Sequence, residues 1–327
     1  MDPLAYFFDG PRASGAFALG IEMDGPWGIE VRDDAALTLI AVRHGRITLD
    51  GVGSDDVALS VGDVAIVRGP APYTVLDAAR PAVTVVIHPG QRCTTTDGRE
   101  LEQEFRRGLR RWGNSPGEGA PDQPADVGML IGAYQREGDI GAFGVGALPR
   151  LIVVRGSDSD PALLELLDRE LGRDDLAQSA VIDRLLDLLV IHTVRSWLQN
   201  GSGAEGSWLT VDDPLVGRAL RLLHDDPAEP WTVDEIATRL HVSRATLAAR
   251  FRRGVGRGPI AYLTGWRMTV AGEELLVPGA SVSEVARRAG YQNAFAFSTA
   301  FKRHTGESPT AYRSRWSAAH DRPLLRP

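Results

Sequence analysis

Apolar and polar residues alternate over short distances in the first part of the chain, and this pattern predicts β-strands. Between residues 17 and 90, short runs rich in β-branched residues are separated by Gly, Asp and Pro, and further apolar runs follow at 127–134 and 147–154. Short strands at regular spacing are typical of an antiparallel sandwich or barrel. The pattern therefore predicts an N-terminal β domain over residues 1–155, with strands at 37–42, 46–49, 63–67, 73–76 and 83–87.

Other stretches interrupt or follow this β pattern. Residues 100–125 open as a charged, helix-like stretch and end in Gly, Pro, Asn and Asp, so we expect a mobile surface loop there. In 161–171 and 178–198, apolar residues recur at i, i+3 and i+4, which predicts two amphipathic helices within 156–199. A Gly- and Ser-rich flexible linker is expected at 200–208, and the residues after it lack strand signals.

The C-terminal part of the chain contains a duplication. Residues 232–237 match residues 281–286 at an offset of 49, and residues 251–253 match residues 301–303 at an offset of 50. Each copy begins with Thr or Ser followed three residues later by Glu, the capping-box pattern that starts a helix. A short helix, a break and a second helix with a basic end then follow. This order predicts two helix-turn-helix units, at about 232–253 and about 281–303.

The apolar spacing within each second helix indicates which face can contact DNA. Leu247 and Phe251 in the first copy, and Phe297 and Phe301 in the second, are spaced i, i+4 and are expected to point inward. The opposite faces are small, polar or basic, so they can approach base edges and thymine methyl groups in a major groove. The predicted base-reading residues are Ala245, Ala248, Ala249, Ala294, Phe295, Ser298 and Thr299.

Basic residues and helix starts in the same region suit phosphate contacts, which add affinity and fix the position of a protein on DNA. The predicted phosphate-contacting or positioning residues are Thr232, Arg244, Arg252, Arg253, Ser281, Asn293, Lys302 and Arg303. Between the copies, residues 260–277 are long enough for a helix of about 25 Å. Such a spacer can separate two recognition helices by nearly the roughly 34 Å of one duplex turn. We therefore expect one monomer to read two turns of DNA.

Charge and composition agree with a nucleic-acid partner for the C-terminal part. The 327-residue chain has a net charge of −7, but residues from Asp212 onward hold 17 basic and 12 acidic side chains. The length suits two domains, and 43% hydrophobic with 24% charged residues is typical of globular proteins. No apolar run approaches the roughly 20 residues needed to cross a bilayer, and no export signal is evident. We expect a cytoplasmic protein without membrane contact.

The C-terminal residues resemble the AraC/XylS family of bacterial transcription regulators. The resemblance is strongest over residues 213–316, and the residues that carry it are 231–237, 242–244, 265–268, 290–291, 300–303, 306–309 and 312–313. Residues 44–47, 59–64 and 148–149 resemble the cupin-like β barrel of family members. The resemblance implies a multidomain α+β protein: a sensor barrel, helices at 156–199 that dimerise, a DNA-binding domain at 209–316 and a tail at 317–327.

The function that this resemblance implies is sequence-specific transcription regulation without catalysis. The implied partners are double-stranded DNA, a second copy of the chain, a small effector or stress signal, and RNA polymerase if the protein is an activator. Activation and repression remain equally open. Two other functions stay as alternatives: a metal-dependent cupin enzyme with a helical accessory domain, and an architectural protein that bends DNA by inserting Phe295.

Residues suited to metal or redox chemistry are few. Metal-binding cupins need several converging histidines and a carboxylate, whereas the β domain has only His44 and His88, so we expect no metal and no cofactor. Cys93 is the only cysteine, which excludes an intrachain disulfide and fits a reducing cytoplasm. Beside Arg92, a Cys93 thiol of lowered pKa would sense oxidants; an incidental thiol is the alternative.

Overall fold

The computed structural model describes residues 17–115, 125–134, 148–200, 213–277 and 279–320. They form two compact units, a β-rich unit that ends at residue 200 and a helical unit that begins at residue 213. The multidomain α+β fold expected from the sequence is confirmed. Apart from Asn200, the linker predicted at 200–208 lies outside the described residues.

Two six-stranded sheets make up the β-rich unit. The strands are β1 (Phe17–Met23), β2 (Gly28–Val31), β3 (Leu37–His44), β4 (Arg46–Asp50), β5 (Val57–Ser60), β6 (Val64–Arg68), β7 (Tyr73–Asp77), β8 (Val85–His88), β9 (Arg92–Thr95), β10 (Arg111–Trp112), β11 (Val127–Tyr134) and β12 (Leu151–Val154). Neighbouring strands run β10-β1-β11-β3-β6-β12 in one sheet and β5-β4-β7-β2-β8-β9 in the other.

The sheets enclose one apolar core, because alternate residues of each strand point between them. Ile40 of β3 and Val67 of β6 meet Leu49 of β4 and Val75 of β7 in this core. Neighbouring strands pair antiparallel, as the sequence predicts, except for two parallel pairs, β1 with β10 and β2 with β8. The strands of each parallel pair are far apart in the chain, so no tight hairpin sets their relative direction.

The segment predicted as a mobile loop at 100–125 contains regular structure in its first part. Helix α1 spans Glu102–Phe105, and β10 pairs with β1. Leu101 and Trp112 are buried, and the rings of Phe105 and Trp112 lie 4.9 Å apart. These apolar side chains anchor a segment whose charged composition suggests a loop. Residues 116–124 lie outside the described residues.

Helices α2 (Pro161–Leu171) and α3 (Gln178–Gln199) follow β12. Asp160 caps α2 by accepting hydrogen bonds from the backbone of Ala162 and Leu163. Helix α3 contacts β6 and β12 as well as α2. The buried apolar residues of the two helices are Leu164, Leu167, Leu171, Ile182, Leu185, Leu186, Leu189, Val190, Val194 and Trp197.

Helix α7 is central to the helical unit. The helices are α4 (Pro214–Asp225), α5 (Val233–Arg239), α6 (Arg244–Val255), α7 (Pro259–Leu276), α8 (Val282–Arg288), α9 (Ala294–Thr305) and α10 (Pro309–His320). Tyr262 and Trp266 of α7 are buried on the side of α4 and α6, whereas Met268 and Leu275 belong to the core formed with α8, α9 and α10. The spacer predicted between the copies is therefore part of both cores. None of the helices in the described ranges combines the length and apolar character needed to span a membrane.

Candidate nucleic-acid interface

The first helix-turn-helix unit starts at the predicted capping box. The Thr232 hydroxyl oxygen accepts a hydrogen bond from the Glu235 amide at 3.2 Å, and the Glu235 carboxylate accepts one from the Thr232 amide at 2.7 Å. These bonds satisfy two of the backbone donors that a helix start leaves free. Hydrogen bonds from Thr232 hold the pKa of Glu235 below its usual value. The sequence pattern thus fixes where α5 begins.

Helix α6, the second helix of the first helix-turn-helix unit, has one buried and one exposed face. Leu247 and Phe251 are fully buried, as the spacing predicts. On the opposite face, Ala245 and Ala249 are exposed and Ala248 is half-buried. Methyl side chains at these positions let the helix backbone approach base edges closely.

Helix α9 repeats this arrangement with larger side chains. Phe297 and Phe301 are fully buried, whereas Phe295, at the position equivalent to Ala245, is 83% exposed. Of the other predicted base-reading residues of this helix, Thr299 is exposed, and Ala294 and Ser298 are half-buried. An exposed phenyl ring is able to make apolar contact with a thymine methyl group.

The two hydroxyl groups on α9 are hydrogen-bonded within the helix. Ser298 Oγ donates to the Ala294 carbonyl at 2.7 Å, and Thr299 Oγ1 donates to the Phe295 carbonyl at 3.0 Å. Each oxygen keeps acceptor capacity, so it can receive a hydrogen bond from cytosine N4 or adenine N6. In this conformation, both residues offer DNA an acceptor and not a donor.

Four exposed cations lie in the last turns of α6 and α9: Arg252, Arg253, Lys302 and Arg303. None of the four forms an ion pair with another side chain in the described ranges. By contrast, Arg244 lies 3.0 Å from Asp234, and both side chains are more than 60% exposed. An exposed pair contributes at most about 1 kcal/mol. Arg244 can therefore exchange its carboxylate for a phosphate at little cost.

Three residues predicted to contact phosphate are helix N-caps: Thr232, Ser281 and Asn293. Ser281 Oγ accepts from the Glu284 amide at 3.1 Å, and Asn293 Oδ1 accepts from the Ala296 amide at 2.8 Å. Their side-chain oxygens are thus engaged as acceptors by their own helices. Phosphate contact at Ser281 and Asn293 must use donor groups of the same residues. Both donors of Thr232, its amide and its hydroxyl, already donate to the Glu235 carboxylate, so a phosphate there would have to displace that carboxylate.

Arg267 of α7 connects the two helix-turn-helix units. Arg267 Nε donates to the Pro227 carbonyl at 2.6 Å, and Nη2 donates to the Glu229 carbonyl at 2.7 Å, in the turn before the first unit. The turn of the second unit lies against the same place, since a Cβ on Gly290 would be 2.7 Å from the Ala228 carbonyl oxygen and 3.2 Å from Arg267 Cζ. Gly290 also has a φ of 78°, which favours glycine.

Arg267 is not among the residues that the sequence pattern predicts to position the protein on DNA. The available signal was a lone arginine between Trp266 and Met268, both of which are buried. Burial lowers the pKa of the Arg267 guanidinium. Arg313 of α10 makes a matching pair of bonds, to the carbonyls of Leu275 (2.8 Å) and Ala280 (2.6 Å), but only within the second unit.

Cys93 lies in the core between the sheets. Burial, followed by the charges of Glu102 and Glu100, raises the pKa of the Cys93 thiol to about 12. Arg92 pairs with Glu100 at 3.3 Å. A thiol of this pKa stays protonated at neutral pH and is a poor nucleophile towards oxidants. Burial and the charges of Glu102 and Glu100 therefore give no support to a low-pKa redox thiol at Cys93 and favour the alternative of an incidental thiol.

His44 and His88 lie in different sheets, on β3 and β8. His44 Nε2 is 2.9 Å from a Glu22 carboxylate oxygen, and His88 Nε2 is 2.9 Å from Thr94 Oγ1. Among the residues that the structure describes, no three His, Cys, Asp or Glu side chains group as metal ligands.

Both the β-rich part and the helical part of the chain match known protein families. A cupin family model matches residues 2–199, more than half of the chain, and a helix-turn-helix domain model matches residues 236–315. The chain is 30% identical over 319 residues to a protein of Streptomyces antibioticus named as an AraC-like transcription regulator, covering 96% of this chain and 98% of that protein. It is 27% identical over 323 residues to the HTH-type transcriptional regulator AlkR of Acinetobacter baylyi, covering 96% and 99%.

Among solved structures, the chain is similar to the DNA-binding domain of AdpA, a global transcriptional factor, in complex with a target DNA. The identity is 33%, the match covers 35% of this chain and 100% of that one, and the TM-score is 0.32.

Proposed function

The chain belongs to the AraC family of transcription regulators and is a DNA-binding regulator rather than an enzyme; from this premise, we propose that its two helix-turn-helix units read successive major grooves of one duplex. The observation that carries the proposal is the repeated exposure of the face opposite each buried core. Ala245 and Ala249 are exposed on α6, as are Phe295 and Thr299 on α9. Two exposed recognition faces on one chain call for two half-sites.

In this proposal, base edges and phosphates are contacted by different residues of each unit. Base edges are read by Ala245, Ala248, Ala249, Ala294, Phe295, Ser298 and Thr299. Phosphates are contacted by Thr232, Arg244, Arg252, Arg253, Ser281, Asn293, Lys302 and Arg303. The absence of carboxylate partners for the four C-terminal cations of α6 and α9, within the described ranges, supports this division.

The shared helix α7 and the Arg267 contacts support a fixed distance between the two recognition helices. A rigid pair reads half-sites about one helical turn apart, roughly 34 Å. We therefore expect a footprint of about 17 base pairs or more for each monomer.

We also propose that the chain acts as a homodimer through α2 and α3. Leu166, Val181 and Leu188 are 38%, 39% and 45% exposed, and Val181 and Leu188 are i, i+7 on α3. Exposed apolar stripes on helices suit isologous pairing.

The β-rich unit would bind a small effector, and contact with RNA polymerase would accompany activation. A cytoplasmic location completes this proposal.

Binding of the full chain to a duplex from its own promoter region, compared with random duplex of equal length, tests this function. Anisotropy titrations should show a preference of about 10³-fold or more. Ala249→Glu should remove the preference, because a carboxylate on the recognition face repels the phosphates. Ala311→Glu, at an exposed alanine of α10, should keep it. Equal affinity of the native chain for both duplexes would count against the proposal.

A further inference from the structure

A bidentate ion pair joins the start of α4 to the middle of α6. Arg250 Nε donates to Asp213 Oδ2 at 2.6 Å, and Arg250 Nη2 donates to Asp213 Oδ1 at 2.5 Å. Two bonds to two oxygens give an arginine–carboxylate pair a defined direction as well as strength. The hydrogen bond from Arg250 lowers the pKa of Asp213, and the same bond raises the pKa of Arg250. Both groups therefore stay charged at neutral pH.

Asp213 is held in place by the helix that it caps. Its Oδ1 also accepts a hydrogen bond from the Leu215 amide at 2.9 Å, and Leu215 is buried. Pro214 at the first helical position keeps Asp213 in extended backbone, with φ of −76° and ψ of 110°. At the other end of α4, His224 Nε2 lies 2.6 Å from the Tyr262 hydroxyl of α7. The Asp213 carboxylate thus belongs to a firmly packed helix.

Arg250 lies on the flank of α6, between the buried and the exposed face. It follows the exposed Ala249, precedes the fully buried Phe251 and is spaced i, i+3 from the fully buried Leu247. Packing of Leu247 and Phe251 keeps α6 close to the core, but apolar contacts have no preferred direction. The hydrogen bonds of Arg250 are directional, so they resist rotation of α6 about its own axis.

We propose that Asp213 is a positioning residue for DNA recognition, which acts through Arg250 to fix the rotation of α6 and so the direction of Ala245, Ala248 and Ala249. An alanine side chain is a single methyl group without rotatable reach, so it contacts a base edge only when the helix backbone is correctly placed. This inference rests on the proposed function, because it takes the three alanines as base-reading residues.

The competing interpretation is that Arg250 contacts a phosphate and that Asp213 only occupies it in the free protein. The side chains of Arg250 and Asp213 are 43% and 26% exposed, and they share two bonds. In the pair of Arg244 with Asp234, by contrast, both side chains are more than 60% exposed and share one bond. Opening the bidentate, less exposed pair costs more, which favours the positioning role.

The variant Asp213→Asn separates the ion pair from the helix cap, because Asn caps a helix as well as Asp but carries no charge. In anisotropy titrations of the full chain, Asp213→Asn and Arg250→Gln should each lower operator affinity about fivefold. The double variant should bind no more weakly than either single one, because each already breaks the pair. Asp226→Asn, at the exposed C-cap of α4, removes an equal charge and should bind like the native chain.

A set of singly substituted operators distinguishes positioning from a loss of folded protein. An unfolded fraction lowers the affinity for every operator by the same factor. Misdirection of α6 should instead weaken the base-pair preferences of one half-site only. The preference that Phe295→Ala removes, which belongs to the other half-site, should be intact in Asp213→Asn.

Unchanged or stronger operator binding by Asp213→Asn would overturn the inference, and stronger binding would support the phosphate role of Arg250. An equal loss for every operator, an equal loss in Asp226→Asn, or a further loss when Asp213→Asn is added to Arg250→Gln would also overturn it. A native chain that binds all duplexes equally would instead count against the proposed function.

Discussion

Ala245 and Phe295 occupy equivalent positions on α6 and α9, and both are exposed, yet their side chains differ greatly in size. The alanine adds a single methyl group, whereas the phenyl ring of Phe295 is 83% exposed. A solvated ring of this size is costly in the free protein, because its apolar surface stays in water. In the proposed complex, contact with a thymine methyl group would recover part of this cost. The second half-site should therefore depend more strongly on apolar contact than the first.

Replacing Phe295 with Ala should lower operator affinity by about tenfold and remove the preference for one base pair. Replacing the contacted thymine with uracil deletes one methyl group and should weaken the native chain about fourfold. The uracil operator should not weaken Phe295→Ala further. Anisotropy titrations over a set of singly substituted operators measure both effects. A uracil penalty of equal size in the native chain and in Phe295→Ala would exclude this contact.

His224 is a buried titratable group in the core of the first unit. Its Nε2 lies 2.6 Å from the Tyr262 hydroxyl, and its ring centroid is 4.3 Å from that of Trp266. The imidazole is 3% exposed, and burial lowers its pKa to about 4. Because an unfolded histidine has a pKa near 6.5, the unfolded state takes up the proton first as the pH falls. Stability present above pH 6.5 is therefore lost on acidification.

The free energy of unfolding of the helical unit should fall by about 3 kcal/mol between pH 7 and pH 4 through His224 alone. His224→Phe should lose this part of the pH dependence, although it is less stable at pH 7 because the bond to Tyr262 is gone. Urea unfolding at several pH values provides the measurement. His241→Asn, at an exposed position, is the control and should follow the native chain. An unchanged slope in His224→Phe would contradict the assignment.

At the scale of elements, helix α7 holds the two helix-turn-helix units together. One helix contributes buried residues to both cores, and Arg267 contacts the leading turn of the first unit and the turn of the second. Side-chain bonds to backbone carbonyls fix a turn more firmly than apolar packing alone, because they are directional. The distance between half-sites should therefore be set at these contacts.

Inserting two base pairs between the half-sites should lower the affinity of the native chain by at least about tenfold, because it rotates one groove away from its helix. Arg267→Gln should bind the native operator more weakly but lose much of the spacing penalty. Titrations against a series of operators with altered spacing give both values.

Arg313→Gln is the matched control for this experiment, since Arg313 makes the same kind of bonds within the second unit alone. It should weaken binding without changing the spacing penalty. If Arg267→Gln kept the native spacing penalty, α7 alone would set the distance and Arg267 would have no positioning role.

At the scale of the whole molecule, charge is divided between the two parts of the chain. Residues from Asp212 onward carry 17 basic and 12 acidic side chains, while the residues before them carry 19 and 31. Repulsion between DNA and the acidic part is screened beyond about 8 Å at physiological salt. Binding should therefore be governed by local cations of the helical unit, despite the net charge of −7.

The logarithm of the binding constant should fall linearly with the logarithm of salt concentration. The slope should be about −4 or steeper if the four cations that lack an ion pair among the described residues, Arg252, Arg253, Lys302 and Arg303, each contact a phosphate. Arg303→Gln should reduce the slope by about 1 and leave the order of preferred sequences unchanged. Arg46→Gln, at an exposed arginine of β4, should alter neither. A slope unchanged in Arg303→Gln would remove that residue from the phosphate contacts.

The sequence predicted the elements whose signals are local. The capping residues Thr232 and Ser281, the inward pairs Leu247 with Phe251 and Phe297 with Phe301, and the division into a β-rich and a helical part follow from spacing alone. The duplicated pattern pointed to DNA binding for the same reason, because each copy carries its complete signal within about twenty residues.

Tertiary structure alone decided the contacts between residues far apart in the chain. It buried Cys93 next to acidic side chains, anchored residues 100–112 through Trp112, and brought Gly290 against Ala228 and Arg267. It also paired Asp213 at the start of α4 with Arg250 of α6. Periodicity reports which face of an element is apolar, but desolvation and charge pairing depend on what packs against that face. Only the folded chain supplies those neighbours.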